Sequence, residues 1–202
     1  MKKTNRRTAL KWMASAPLAA GFSLTPQAAQ EAQRQVNETR AAHPAQPFRA
    51  RFFNQQEYET VGVLVDMIFP ADQRSGSATE AGVPQFMDFI MVDQPHYQTA
   101  MRGGLARLDF ECLKRFDKKF SACSGAEKVA ILDEIAWPEK AKPEVSHLVT
   151  FFNSFRDLTA TGFWTTKMGM EDLQYLGNDF VDHWSGCPDE ALRKLGLRDA
   201  DD

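Results

Sequence analysis

The chain has 202 residues and a formal net charge of −3 at pH 7. Five of its 24 basic side chains lie within residues 1–29, which contain no Asp or Glu. Without that segment, 19 basic side chains stand against 27 acidic ones, a net charge of −8. We therefore expect no binding of nucleic acid, because a polyanion requires a basic surface.

The chain begins with a pattern typical of an export signal. Arg6 and Arg7 lie in a basic start and precede a mildly apolar stretch over residues 12–24. This layout predicts a twin-arginine signal, and small residues predict cleavage after Ala28 or Ala29. A membrane anchor is disfavoured, because a spanning helix needs roughly 20 predominantly apolar residues and this stretch is short and interrupted by proline and glycine.

The sequence divides into three segments. Residues 1–29 form the predicted twin-arginine signal peptide. Residues 30–50 are rich in Gln, Ala, Pro and charge, which predicts a flexible linker. Residues 51–198 are predicted to form a single compact all-α domain of about five main helices with an irregular C-terminal segment. Such a length suffices for one buried core.

The first two helices of this domain have clear boundaries in the sequence. Asn54 and Glu57 predict a capping box, and apolar residues then recur at helical spacing until Pro70 ends the helix. Residues 71–82 read as a polar loop, after which Pro84 opens the second helix. Its predicted inward side chains are Phe86, Phe89 and Ile90.

Three longer helices follow. The third helix is predicted over residues 96–120, and two consecutive glycines weaken its first part. Ser124 and Glu127 repeat the capping-box pattern and open the fourth, which ends before Pro138. Pro143 begins the fifth. The predicted inward side chains of the last two are Val129, Leu132, Ile135, His147, Leu148, Phe151, Phe152, Phe155 and Leu158.

The only cysteines are Cys112, Cys123 and Cys187. On one straight helix Cys112 and Cys123 lie about 16 Å apart, beyond the limit of about 7 Å between the α-carbons of a disulfide. They can pair if the chain turns near residues 120–124. Alternatively, all three cysteines are structural or free thiols. The sequence contains no Cys-x-x-Cys spacing that would indicate a metal or haem site.

No motif predicts a catalytic, cofactor or metal site. Dinucleotide, phosphate-loop and serine-hydrolase patterns are missing from the sequence. Glu144 and His147 make one Glu-x-x-His pair, but a helical di-metal centre requires two. A stand-alone exported enzyme or metal-binding protein is thus the alternative hypothesis, using Glu144, His147 and the carboxylates Asp66, Asp72, Glu80 and Asp88.

Aromatic side chains are concentrated late in the chain. Large aromatics fill protein cores, yet exposed aromatic patches also mark interfaces. The sequence leaves both readings open for Phe151, Phe152, Phe155, Phe163 and Trp164.

Five sequence blocks in order resemble the gluconate 2-dehydrogenase subunit 3 family. The resemblance covers residues 52–197, and its order and spacing are more specific than any single block. The blocks are Asp66-Met-Ile-Phe-Pro-Ala-Asp72, Glu80-Ala-Gly-Val-Pro-Gln-Phe-Met-Asp88, Phe151-Phe152 with Arg156-Asp-Leu-Thr-Ala-Thr-Gly-Phe163, Tyr175-Leu-Gly-Asn178 and Gly186-Cys-Pro188.

The resemblance implies a non-catalytic accessory subunit in the periplasm or at the periplasmic face of the inner membrane. Its implied partners are a flavin-dependent sugar or alcohol dehydrogenase of the glucose–methanol–choline type, a cytochrome c subunit and the twin-arginine machinery. FAD is expected in the dehydrogenase and no cofactor in this chain. The small subunit carries the export signal, here Arg6 and Arg7, on which the folded complex crosses the membrane.

The family has no assigned catalytic residues, so the motif positions are expected to determine the fold or an interface. Arg156 and Asp157 are expected to make polar contacts near the partner or within a helix cap. The motif positions are Asp66, Pro70, Asp72, Gly82, Pro84, Asp88, Arg156, Gly162, Gly177 and Cys187.

Overall fold

The computed structural model describes residues 22–43, 46–175, 182 and 186–197. These residues form helices and no strands, which confirms the all-α fold class. None of the helices within them is both long and apolar enough to cross a bilayer. In chain order they are α1 Pro26–Ala42, α2 Gln55–Ile68, α3 Ala78–Ala81, α4 Val83–Asp93, α5 Gln98–Phe116, α6 Gly125–Ile135, α7 Ser146–Trp164, α8 Lys167–Asp172 and α9 Asp189–Lys194.

Helix α7 is the centre of the domain. It packs against α5, α4 and α8 and also contacts α2 and α6. Its apolar face is continuous because Phe151, Phe155, Leu158 and Phe163 recur at helical spacing and are all buried. The core around it includes Leu64, Phe86, Met87, Ile90, Met101, Leu108, Ile131 and Ile135.

The predicted helix boundaries are confirmed where short-range hydrogen bonds set them. The Glu57 N–H donates to Asn54 Oδ1 at 2.8 Å, and the Asn54 N–H donates to Glu57 Oε2 at 3.0 Å. Ser124 and Glu127 make the same reciprocal pair at the start of α6. Helices α2 and α6 end at Ile68 and Ile135, before the following prolines. A capping box therefore fixes a helix start without tertiary help.

Some sequence expectations differ from the structure. The predicted loop over residues 71–82 contains α3, which begins at a third capping box. The predicted helix over residues 96–120 is shorter at both ends, because a 3-10 turn precedes it and Asp117 adopts a left-handed φ of 55° that ends it. Val129 and His147 were expected to face inward, and both are exposed.

The predicted linker over residues 30–50 is the largest difference. Most of it belongs to α1, whose Ala29, Ala32 and Val36 are buried and which packs mainly on α4. Small side chains suffice here because they allow the helix to lie close to its neighbour, and alanine and glutamine are favourable in helices. The scarcity of large apolar residues therefore did not indicate an unpacked segment.

The fold also includes residues before α1. The Phe22 and Tyr97 rings meet edge to face at 5.4 Å, and the Tyr97 hydroxyl donates to the Ser23 carbonyl at 2.6 Å. Thr25 caps α1 by accepting from the Ala28 N–H at 3.2 Å. The predicted cleavage positions after Ala28 and Ala29 thus lie within the first turn of α1.

Candidate functional site

Residues 66–88, which we call the motif corner, connect α2 to α4 and contain the first two sequence blocks. Asp66 lies on α2, and its Oδ1 accepts from the Thr79 N–H at 2.7 Å. The Ala78 N–H donates to the Phe69 carbonyl at 3.0 Å. These two bonds satisfy free N–H groups at the start of α3 and hold it against the end of α2.

The exposed part of the motif corner is a turn stabilised by Asp72. Its Oδ1 accepts from the N–H groups of Arg74 at 2.7 Å and Ser75 at 2.9 Å. These backbone donors, that of Ser75 contributing most, lower the pKa of the Asp72 carboxyl below its ordinary value. Pro70 lies just before this turn and is exposed. Asp72 therefore acts as a turn-forming residue.

Gly82 joins α3 to α4 without an intervening loop. Its φ of 94° lies in the left-handed region, which glycine adopts without a steric penalty. A β-carbon at this position would also lie only 3.0 Å from the Arg40 guanidinium carbon. Pro84 occupies the first turn of α4, where its missing N–H is not needed.

Asp88 on α4 is fully buried and binds the segment before α2. Its Oδ2 accepts from the Arg51 N–H at 2.8 Å, and its Oδ1 accepts from the N–H groups of Phe52 and Phe53 at 3.0 and 3.1 Å. A buried carboxylate requires such donors, because an unpaired charge in a core is strongly unfavourable. Asp88 therefore sets the path of the chain as it enters the domain.

The third sequence block packs directly on the motif corner. The Phe69 ring stacks on that of Phe163 at a centroid distance of 4.9 Å. Gly162 on α7 faces α4 so closely that a β-carbon there would lie 2.8 Å from Phe86 Cδ1 and 3.2 Å from Val83. The blocks thus meet in space, and their shared positions build a helix–helix contact.

The remaining motif positions lie elsewhere. Arg156 and Asp157 are exposed neighbours on α7, joined at 3.1 Å, and they take part in no cap. Cys187 is exposed and has a free thiol. Gly177, Arg6 and Arg7 fall outside the described residues.

Sequence reasoning missed a basic surface groove beside the motif corner. It is a cavity of about 700 Å³ between the end of α1, the segment leading to α2 and α4. We call it the arginine groove and define it by Arg40, His43, Phe48, Arg49, Arg51 and Phe89. All of its basic side chains are exposed. The basic residues around Phe48 could have indicated this groove in the sequence. They were overlooked because their segment was interpreted as a flexible linker.

The two arginines of the entering segment leave the groove positively charged. Among the described residues, the side chains of Arg49 and Arg51 make no hydrogen bond or ion pair. Arg40 donates to the Glu80 carbonyl at 3.2 Å, which ties the groove to the motif corner. An anionic group or an acidic protein surface is the chemistry that such guanidinium groups bind.

Aromatic side chains form the floor of the arginine groove. Phe48 contacts Phe89 at 6.0 Å and Tyr58 at 5.8 Å between ring centroids. Burial, with a smaller contribution from the negative charge of Asp88, raises the pKa of Tyr58 to about 12. Tyr58 is neutral at physiological pH, as an ordinary tyrosine also is, and it supports the groove through its contact with Phe48.

A second cavity, of about 210 Å³, lies between α5 and α7. Phe22, Gly103, Phe151 and His147 are among the residues that line it. Its described lining is mainly apolar.

The Glu144–His147 pair gains no further ligand from the structure. Glu144 lies in the 3-10 turn before α7 and His147 lies in the first turn of α7, and both side chains are exposed. Within the described part of the chain, no group of three or more His, Cys, Asp or Glu residues is placed to hold a metal ion.

Comparison with known proteins identifies a family. No curated protein and no solved structure gives a significant match. The family described as gluconate 2-dehydrogenase subunit 3 matches residues 55–186, a range that contains the motif corner and α7. The chain therefore belongs to the gluconate 2-dehydrogenase subunit 3 family.

Proposed function

We propose that this chain is a non-catalytic accessory subunit that binds a flavin-dependent dehydrogenase of the glucose–methanol–choline type and escorts it through twin-arginine export. Family membership over residues 55–186 carries the proposal. FAD belongs to the dehydrogenase, which oxidises a sugar or alcohol, and a cytochrome c subunit is the third member. The complex works in the periplasm or at the periplasmic face of the inner membrane.

The sequence and surface chemistry support a role in binding and transport. Arg6 and Arg7 supply a signal that is used for folded cargo. The arginine groove presents exposed guanidinium groups beside an aromatic floor, and arginine and aromatic residues are enriched at protein interfaces. We assign this groove to the contact with the dehydrogenase.

The export role is tested by co-expressing the chain with its flavoprotein and replacing Arg6→Lys and Arg7→Lys together. We expect the flavoprotein to remain in the cytoplasm, because both proteins depend on the one signal. Cell fractionation with flavin fluorescence or immunoblotting measures its location. The matched control, Lys2→Arg with Lys3→Arg, keeps the charge and the arginine pair, so export should continue. Unchanged export of the flavoprotein in the first variant would overturn the escort role.

A further inference from the structure

The chain reverses between α5 and α6, and a buried cysteine lies on each side of this reversal. Cys112 lies in the last turns of α5 and is fully buried. The chain reverses after Asp117, whose φ is 55°. The Phe120 N–H then donates to Asp109 Oδ1 at 3.0 Å, so the returning chain lies beside the helical turn that carries Cys112.

Cys123 follows directly in this returning segment. Its N–H donates to the carbonyls of Lys119 and Phe120 at 3.1 and 3.2 Å, which fixes it one turn beyond the reversal. Its thiol points inward, with Sγ 4.0 Å from the Lys118 carbonyl oxygen, and only 4% of the residue is exposed. The separation expected along a straight helix therefore does not apply.

The two thiols also affect each other. Burial, followed by the charge of the nearby Cys123 and a hydrogen bond with its thiol, raises the pKa of Cys112 to about 12. The geometry agrees, since the Phe120–Asp109 hydrogen bond holds the returning chain against the end of α5 and both cysteines are buried there. Both thiols are free in the structure, whereas Cys187 is exposed and belongs to a separate C-terminal segment.

We propose that Cys112 and Cys123 form an intramolecular disulfide after the folded chain reaches an oxidising compartment, while Cys187 stays free. The inference rests on the proposed export, because thiols remain reduced in the cytoplasm. The bond closes a short loop and joins the end of α5 to the start of α6. It is thus a modification that distinguishes the exported protein from its precursor.

The oxidant is a protein or small-molecule disulfide, and the reaction is thiol–disulfide exchange. Cys123 is the more accessible thiol, and opening of its turn exposes it. Its sulfur attacks one sulfur of the oxidant, which forms a mixed disulfide and releases one thiol. The Cys112 sulfur then attacks the Cys123 sulfur and releases the second thiol. Both electrons and both protons of the cysteines end on the two released thiols.

The bond is tested first on the full chain purified with its thiols reduced and then equilibrated with oxidised glutathione. Free thiols are alkylated under denaturing conditions and the peptides are mapped by mass spectrometry. We expect a linked peptide pair containing Cys112 and Cys123, a Tm about 5 to 10 °C above that of the reduced protein, and Cys187 joined to no other cysteine of the chain, either alkylated or carrying glutathione. Recovery of Cys112 and Cys123 unlinked would overturn the proposal.

Variants identify the sulfur atoms involved. Cys187→Ser should keep the link and the increase in Tm, whereas Cys112→Ala and Cys123→Ala should each abolish both. Thiol mapping of the wild-type chain decides the question even if a buried alanine variant folds poorly. Linkage through Cys187 in the wild-type chain would contradict the assignment.

The same mapping on protein from fractionated cells separates this proposal from the export proposal. Periplasmic protein should carry the Cys112–Cys123 link. Periplasmic protein with both thiols free would overturn the disulfide and leave export intact. Protein found only in the cytoplasm would contradict export, while the glutathione experiment still decides whether the two cysteines pair.

Discussion

The motif corner and the arginine groove lie beside each other on α4, and they differ in how their polar groups are satisfied. In the motif corner, Asp66, Asp72 and Asp88 all accept hydrogen bonds from backbone N–H groups. In the arginine groove, the described structure gives the side chains of Arg49 and Arg51 no partner. The first region uses its charges to hold the fold, and the second leaves its charges available to another molecule.

This difference shows that a family motif can mark residues that hold the fold rather than residues that contact a partner. The buried motif positions, such as Asp88 and Gly162, mark the contact among α2, α4 and α7, where a change of shape is costly. The surface best suited to a partner lies next to those positions and contains none of them. Motif residues therefore indicate how the surface is held in place, and the following predictions test that division from the largest expected effect to the smallest.

Replacing Asp88→Ala should destabilise the domain most. Three N–H groups, two of them buried, would lose their acceptor, and we expect the free energy of unfolding to fall by about 2 to 4 kcal/mol. Urea denaturation followed by circular dichroism measures it. The control Asp157→Ala removes an exposed carboxylate and should change stability by less than about 0.5 kcal/mol. Similar effects of the two variants would contradict a structural role for the motif corner.

Replacing Gly162→Ala should test the close approach of α7 to α4. The added methyl group meets Phe86 and Val83, so we expect a loss of about 1 to 3 kcal/mol from overpacking. Thermal unfolding measures the change. Gly103→Ala is the matched control, because its β-carbon meets nothing within 4 Å and alanine favours a helix by about 1 kcal/mol. Gly162→Ala should lower Tm and Gly103→Ala should raise it; equal shifts would refute the packing argument.

Reversing the charge of the arginine groove should weaken binding and leave folding intact. For Arg49→Glu with Arg51→Glu, we expect the Kd for the dehydrogenase to rise about tenfold or more, because like charges then oppose an acidic surface. Titration calorimetry measures Kd, and Tm reports folding. Arg193→Glu changes an exposed arginine on α9, outside the groove, and should leave Kd unchanged. An unaltered Kd in the double variant would place the interface elsewhere.

The smallest effect concerns the Asp72 turn at low pH. Because its pKa is lowered in the folded state, the carboxylate contributes stability above the ordinary aspartate pKa. That contribution is lost as the pH falls through the lowered value. Carboxyl NMR titration should show Asp72 titrating below an ordinary aspartate, and Asp72→Asn should remove this part of the acid dependence. A titration at or above the ordinary value would contradict the turn geometry.

Local chemistry made much of the fold predictable. The pairs Asn54–Glu57 and Ser124–Glu127 set helix starts within four residues of chain, and Pro70 and Pro138 followed helix ends as expected. Inward positions such as Phe86, Phe155 and Leu158 followed from periodicity alone. The prediction that Val129 and His147 face inward was wrong, because periodicity locates the middle of an apolar helix face more accurately than its edge.

The candidate site was less predictable because it joins distant segments. Arg40 belongs to a helix that was interpreted as a linker, and Arg49 and Arg51 precede the first predicted helix. Their common groove depends on Asp88, which lies 37 residues beyond Arg51 and fixes the path of its backbone. No pattern in the sequence specifies that hydrogen bond.

The sequence by itself determined the all-α class, the principal helix starts and the family resemblance, since these depend on short-range hydrogen bonds, side-chain periodicity and ordered blocks. Only the tertiary structure decided that α1 is packed, that Gly162 lies against the Phe86 ring, and that the chain carrying Cys123 returns to the end of α5. It also decided which charged side chains are hydrogen-bonded within the fold and which are exposed. Each of these depends on contacts between residues far apart in the chain, whose distances are set only when the helices pack around α7.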